Sequence, residues 1–311
     1  MAGRPQRWNL KALIVRGVFA DTGACIEFLR EQSLLARHMQ CRCGSHMTIE
    51  PTRTHHDGVR WRCPDSECRT TTTVRAGSFF KNSRARLVDL VMLIYFWSMD
   101  HSQRAMIHET GLSHQTVKDW CRFLRGICAA EVTRTHRKIG GANHVVSIDE
   151  TFLAGRRPNT NRQGRPVRNQ IWLFGGVDHV TKEVFLEIVP PCGRTAPVME
   201  EMIMRNIADG TTIWSDQFAS YRGIEALGKH YRHETVNHSY QYITSSGVHT
   251  NFAESLWADV KRKFKRMNGV DRRTLPDYIK EWEWRRRGRL EEHFSRMLQS
   301  IARDPRYQLS T

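Results

Sequence analysis

The apolar positions of this chain change period along its length, and each change predicts a different kind of element. Residues 10 to 37 carry apolar residues at helical spacing and predict a helical segment burying Phe28, Leu29, Leu34 and Leu35. Residues 83 to 130 keep the helical period. RARLVDLVMLIYFWSM predicts a buried helix. HSQRAMIHETGLSHQTVKDWCRFLRGIC predicts a short helix, a turn at Thr110-Gly111, and a second helix capped by Ser113. Val117, Trp120 and Leu124 form the apolar stripe of that second helix. His114, Gln115, Lys118 and Asp119 then face outward, as the recognition helix of a helix-turn-helix offers them to a DNA groove. The same geometry is also common without DNA binding. Cys121 and Cys128 fall among the core positions of these helices.

After Gly140-Gly141 the period drops to two. Strands are predicted at residues 145–152, 171–177 and 183–189, then a helix at 196–207, a strand at 211–214, a second helix from Gln217, and a strand at 231–236. An antiparallel meander followed by crossovers is the strand order of a ribonuclease-H-like α/β fold. GRRPNTNRQGRPVRN, between the first two strands, is a basic hairpin loop.

Cysteine adds a further element. CRCGSHMTIEPTRTHHDGVRWRCPDSEC places Cys41 and Cys43 in one knuckle and Cys63 and Cys68 in another, with two short strands between. Two thiol pairs on a hairpin are the layout of a zinc ribbon, in which one structural Zn2+ replaces a core that so few residues cannot supply. The spacings, C-x-C and C-x4-C, depart from the usual C-x-x-C, and His38 or His46 can stand in for one thiolate. Arg60, Trp61 and Arg62 beside the knuckle suit phosphate contact; the plainer alternative is that Trp61 packs the hairpin.

Charge narrows the partner. Lys plus Arg number 48 against 32 Asp plus Glu in 311 residues, a net charge of +16, which favours a polyanion and above all nucleic acid. The best apolar run, Leu87 to Met99, is too short to span a bilayer and contains Asp89. The N-terminus lacks the uninterrupted apolar run of a secretory signal, so a reducing, intracellular setting is expected.

Two carboxylates stand out. Asp149 interrupts the apolar strand VVSIDETF, and Asp216 ends TTIWSD. A charge there is costly unless paired or metal-bound. On neighbouring strands the two would suit Mg2+ or Mn2+, and a third acid on a helix beside the sheet would complete a two-metal centre. The alternatives are that Asp216 caps the following helix and that Asp149 pairs with arginine. Glu150 points to the other sheet face, toward a salt bridge with the basic loop. Asp178 and His179 read as turn residues, and His233, His238 and His249 as structural histidines near the centre.

From about Phe28 to Arg287 the chain resembles transposases of the Merlin superfamily, which are related to bacterial insertion sequences with an ISXO2-like transposase domain. The motifs that carry the resemblance are CRCG with WRCPDSEC, VVSIDETF, NQIWLFGGVDHVTKE, DGTTIWSDQFASY, VNHSYQYI and GVHTNFAESLWADVKRKFKR. The resemblance implies a cut-and-paste DNA transposase with a DDE triad and two Mg2+ or Mn2+ ions per active site. Asp149 and Asp216 match the first two acids, Glu254 matches the third, and Lys261 matches the basic residue that follows on the same helix. Some relatives carry Asn as third member, which makes Asn251 the reserve ligand. The implied partners are double-stranded DNA, both terminal inverted repeats and target, and a homodimer or larger synaptic complex, with no membrane. The implied site of action is the nucleus in a eukaryote, or the cytoplasm or nucleoid in a bacterium.

The remaining basic residues have a use in that setting. Arg156, Arg157, Arg162, Arg165 and Arg168 in the loop, Lys261, Lys263, Lys265 and Arg266 after Glu254, and Arg285 and Arg286 in WEWRRRGR would track phosphates. The expected organisation is a helical segment at 1–37, a zinc ribbon at 38–80, a helix-turn-helix region at 81–138, the catalytic domain at 139–270 and a basic helical segment at 271–311. Two rival functions remain: a domesticated DNA-binding regulator without catalysis, and a ribonuclease-H-like nuclease without strand transfer.

Overall fold

The computed structural model describes residues 7–153, 159–160, 166–167, 171–236, 251–267, 270–271 and 273–309. Arg156 and Arg157, with Arg162, Arg165, Arg168, His238 and His249, lie outside the described residues, as does the side chain of Asn251. The chain divides into two compact units, one of residues 1–133 and 284–311, the other of residues 134–283.

The first unit opens with α1 (Leu10–Val15) and α2 (Thr22–Glu31), capped by Asn9 and Asp21 side chains. Phe28, Leu29, Leu34 and Leu35 are buried, as their spacing predicts. β1 (Thr48–Pro51) pairs antiparallel with β2 (Val59–Arg62), Ile49 facing Trp61, and β2 pairs with β3 (Thr71–Thr73). The threonine run thus adds a third strand to the expected hairpin. α3 (Leu87–Ser98) is buried along most of its length. α4 (Gln103–Thr110) ends at Gly111 in the left-handed region, φ 66°, where a Cβ is disfavoured. α5 (His114–Arg134) then starts with the Ser113 hydroxyl accepting from the Thr116 N–H at 3.1 Å.

In the second unit, β4 (Ile139–Gly140) and β5 (Val145–Leu153) are followed by the short pair β6 (Asn159–Thr160) and β7 (Pro166–Val167). After these come β8 (Ile171–Asp178), β9 (Val184–Ile188), α6 (Ala196–Asn206), β10 (Ile207–Ala208), β11 (Thr212–Asp216) and β12 (Arg232–Val236). The main sheet has the order β12-β11-β5-β8-β9. β5, β8 and β9 form the antiparallel meander, whereas β11 and β12 run parallel to β5 and β11 respectively. The helix expected from Gln217 is replaced by two short 3-10 turns, Ala219–Tyr221 and Ile224–Leu227. Gly223 and Gly228 interrupt it, and Gly228 at φ 67° terminates the second turn.

α7 (Asn251–Arg266) and α8 (Leu275–Arg286) complete this part of the chain. The sheet has a core on each face. One holds Ile148, Phe174, Phe185 and Tyr221 with residues of α6; the other holds Leu173, Val177 and Leu186 with Leu256, Trp257 and Val260 of α7. Glu283 caps the edge strand β9, its Oε1 accepting from the Leu186 N–H at 2.8 Å. Asp178 closes the β8 turn. Its Oδ1 accepts from the N–H groups of Val180 and Thr181, and its Oδ2 from Gly140 and from His144 Nδ1 at 2.8 Å. Burial works against ionisation of this carboxyl, but the His144 and backbone hydrogen bonds win and hold it below the usual aspartate range. Asp178→Ala is therefore expected to cost about 2–4 kcal/mol in urea unfolding near neutral pH. A depressed carboxyl stabilises above its unfolded pKa, so the wild-type advantage should fade as pH falls below about 4.

α9 (His293–Ala302) packs into the first unit with Phe294, Met297, Leu298 and Ile301 buried. The aromatic half of WEWRRRGR is accordingly core, while Arg286, Arg287 and Arg289 are exposed. Trp282 is buried in the second unit, Trp284 in the first, and Glu281 and Glu283 are buried with them. Arg285 donates to the carbonyls of Trp97 and Ser98 and stacks over the Trp97 ring at 4.2 Å. That commits it to the end of α3 and corrects its reading as a phosphate contact.

Candidate active site and metal centre

Strand register places the two aspartates. β11 pairs with β5 with Thr212 opposite Val145 and Trp214 opposite Ser147. Two residues further along each strand stand Asp216 and Asp149. Side chains two apart share a face, and neighbouring strands lie about 4.8 Å apart, so the two carboxylates sit level on one face. Both are partly exposed. Asp216 Oδ1 accepts from the Phe218 N–H at 2.9 Å, so it also organises the turn that follows it, as the capping alternative expected. Asp149 Oδ1 accepts from the Glu150 N–H at 2.7 Å, and its Oδ2 accepts from the Trp257 indole at 2.9 Å.

That indole contact fixes how α7 meets the sheet. Ala253, Leu256, Trp257, Val260 and Phe264 are buried, with Phe252 and Met267 only partly so. The buried stripe is rotated toward Trp257 from the stripe of Phe252, Leu256, Val260, Phe264 and Met267 that helical spacing alone suggests. Glu254 therefore lies one turn before Trp257 at the flank of the buried stripe, exposed, rather than on the opposite side. Asp149, Asp216 and Glu254 do not all lie within 4.8 Å of one another, so the three acids are not a preassembled ligand cluster. A pair of carboxylates is the donor set from which Mg2+ is commonly held together with substrate phosphates. Lys261 and Lys265, further along α7, are exposed.

Glu150 does lie on the other face, and among the described residues its ion-pair partner is Arg194; the basic loop it was expected to meet lies outside the described side chains. Its side chain is 3% exposed and lies 4.0 Å from Arg194, whose guanidinium stacks over Trp172 at 3.6 Å and Phe218 at 4.8 Å. Burial first, with the fields of Asp149 and Asp216, pushes the Glu150 carboxyl up to about 7, against the Tyr221 hydroxyl and Arg194. His179 Nε2 meets the Ser147 hydroxyl at 2.6 Å, and its ring packs between Trp214 and Phe252. His233 Nε2 meets the Ser215 hydroxyl at 2.8 Å, and burial lowers its pKa. Both histidines are held in structural pairs beside the strand acids.

In the first unit, Cys41, Cys43, Cys63 and Cys68 converge, with all four sulfurs within 4.8 Å of one another. Cys41–Cys68 and Cys43–Cys63 are each 3.5 Å apart. A tetrahedral ion with Zn–S bonds of about 2.3 Å needs sulfurs roughly 3.8 Å apart, so the cluster fits zinc with little adjustment. Backbone hydrogen bonds from Cys41 to Ser45 and from Gly44 to Cys41 shape the first knuckle, and Asp65 Oδ1 caps the second through the Cys68 N–H. Hydrogen bonds from Ser45 bring the Cys43 thiol down to about 6, whereas burial pushes Cys63 up to about 12. Neither His38 nor His46 belongs to the converging group.

Of the proposed DNA contacts in this unit, His114, Gln115 and Lys118 are exposed on α5. Gln115 is tied to Asp119 at 2.9 Å. Trp61 is 3% exposed and packs the ribbon with Arg30 over its ring, which removes it as a groove contact. Arg60 is paired with Glu50 at 2.6 Å and is half-buried.

These positions can be set against known proteins. Residues 140–287 match the ISXO2-like transposase domain family. The matched span includes Asp149, Asp216 and all of α7. The chain is also 23% identical over 241 residues to an uncharacterized protein in transposable element ISH50 of Halobacterium salinarum, covering 73% of this chain and 78% of that protein. A solved simian T-cell lymphotropic virus intasome in complex with PP2A regulatory subunit B56 gamma aligns over 60% of this chain and 66% of its own chain. That alignment has 13% identity and a TM-score of 0.31, a likeness too low to argue from.

Trp257 is the site residue that sequence reasoning passed over. Its signals were an indole three residues after Glu254 and a Gly-Gly pair in the strand opposite Asp149. A Cβ at Gly175 would stand 2.8 Å from Trp257 Cη2, so the glycine makes room for the ring.

Proposed function

We propose that this chain is a metal-dependent DNA transposase that acts at the ends of its own element, with a ribonuclease-H-like core and a zinc-ribbon and helix-turn-helix unit for end recognition. The finer kinship with the Merlin superfamily is part of this proposal and rests on the motif order in the sequence. The observation that carries the reading is the level placement of Asp149 and Asp216 on adjacent strands within a transposase-like domain.

Bound between these carboxylates, Mg2+ or Mn2+ would supply Lewis-acid charge at the attacking and leaving oxygens of a phosphodiester. The chain's own part is positional. Asp149 and Asp216 would offer the donor oxygens from adjacent strands, and Glu254 on α7 would serve as the third acid. In the first step water attacks phosphorus at the element's end and the P–O3′ bond breaks, freeing the element's 3′-OH. In the second step that 3′-OH attacks a target phosphorus and displaces a target 3′-OH, so no protein–DNA bond is needed. Joining two ends calls for at least two copies of the chain.

The deciding experiment is a strand-transfer assay with the element's own terminal repeats, with and without Mg2+. Joined products that depend on metal support the reading, and cleavage without joining reduces it to a nuclease. Binding is expected to be electrostatic through residues such as Lys261 and Lys265. Replacing either with Ala should weaken binding to all sequences alike and lower the slope of log K against log salt by about one. A slope unchanged by both substitutions would remove α7 from the DNA path.

A further inference from the structure

We infer that Trp257 is a positioning residue for Asp149, and that this one hydrogen bond sets both the metal affinity of the site and the seating of α7. The inference rests on the metal reading of Asp149 given above. Trp257 is 4% exposed, and its indole N–H donates to Asp149 Oδ2 at 2.9 Å. Asp149 Oδ1 is held by the Glu150 N–H, so both oxygens are oriented, one by the strand itself and one by the helix.

The contact is built from both sides. On β8, Gly175 lies opposite Asp149 in register, and any Cβ there would displace the indole or Leu186. On α7, Trp257 lies among the buried residues Leu256 and Val260, so the ring cannot turn without repacking the helix. Glu254 sits one turn before Trp257, and Lys261 one turn after it. The bond therefore fixes the height of the helix acid and of the following lysine relative to the strand acid. Outer partners that orient a ligating carboxylate commonly change metal affinity by about 10–100-fold when removed.

The test uses zinc-loaded full-length chain bound to a fixed DNA duplex, with free Mn2+ measured by electron paramagnetic resonance. Trp257→Phe keeps the ring and removes the donor. It is expected to weaken Mn2+ binding by about 10–100-fold in a chain that stays folded and still binds the duplex. Asp149→Asn is measured alongside. If Trp257→Phe binds Mn2+ as wild type does while Asp149→Asn has lost it, the inference is overturned and the metal reading stands. If Asp149→Asn itself binds Mn2+ normally, the metal reading falls and takes the inference with it.

A second measurement avoids any folding defect in the tryptophan variant. In 15N-tryptophan-labelled wild-type chain, one indole N–H resonance should shift in Asp149→Asn and broaden first when Mn2+ is added. Indole resonances that all ignore Asp149→Asn would refute the hydrogen bond in solution.

Discussion

Asp149→Asn and Asp216→Asn should each lower strand cleavage by at least about 10³-fold, on the order of 4 kcal/mol of barrier, while leaving end binding intact. The reason is the register of β5 and β11. Each substitution replaces a charged oxygen by an amide in a pair set level by that register, and Asp149, Asp216 and Glu254 form no tight cluster that could compensate. The amide keeps the shape and the hydrogen bonds from Glu150 or Phe218, so the strand and its turn should persist. Cleavage is read on a labelled terminal fragment in Mg2+, and binding by mobility shift of the same fragment. Full cleavage by either purified variant removes these residues from the chemistry. Glu254→Gln tests the remaining member; if it cleaves as wild type, Asn251 is the third ligand to examine.

Removing zinc should have the largest effect on the first unit. β1, β2 and β3 are strands of three or four residues with few buried apolar side chains, so the four thiolates and an ion held by them would carry most of the ribbon's stability. Structural zinc in such modules contributes about 10–16 kcal/mol of apparent binding free energy. Native mass spectrometry should find one zinc per chain. A strong chelator or Cys63→Ser should expose residues 41–73 to hydrogen exchange and abolish end binding, while residues 134–283 keep their protection. A ribbon equally protected without metal would make the four thiols a plain buried cluster. Asp57 and Arg75, a buried ion pair with two hydrogen bonds, would then be what holds that region.

The elements were legible because their signals are local. Apolar spacing gave α2, α3 and α5, the Gly111 and Ser113 pair gave the turn between α4 and α5, and alternation gave β5, β8 and β9. Local signals failed where a competing local feature won. The helix expected after Asp216 broke at Gly223 and Gly228, and the threonine run became a strand because β2 offered it an edge. Asp149 and Asp216 were visible as charges that interrupt apolar strands.

Residue identity alone marked the groups with chemical potential: two strand acids, one helix acid, four clustered thiols and a surplus of cations. Which of them stand near one another was left to strand register and packing. Only pairing of β5 with β11 puts Asp149 level with Asp216, since 66 intervening residues say nothing about register. Packing alone turned the α7 stripe toward Trp257, because the space left by Gly175 admits an indole that helical spacing cannot foresee. Arg285 and Trp61 were candidate DNA contacts by their place in the sequence, yet the fold uses both: Trp61 packs the ribbon, as the plainer alternative had it, because burying an indole is favourable, and the Arg285 guanidinium is tied to the Trp97 and Ser98 carbonyls.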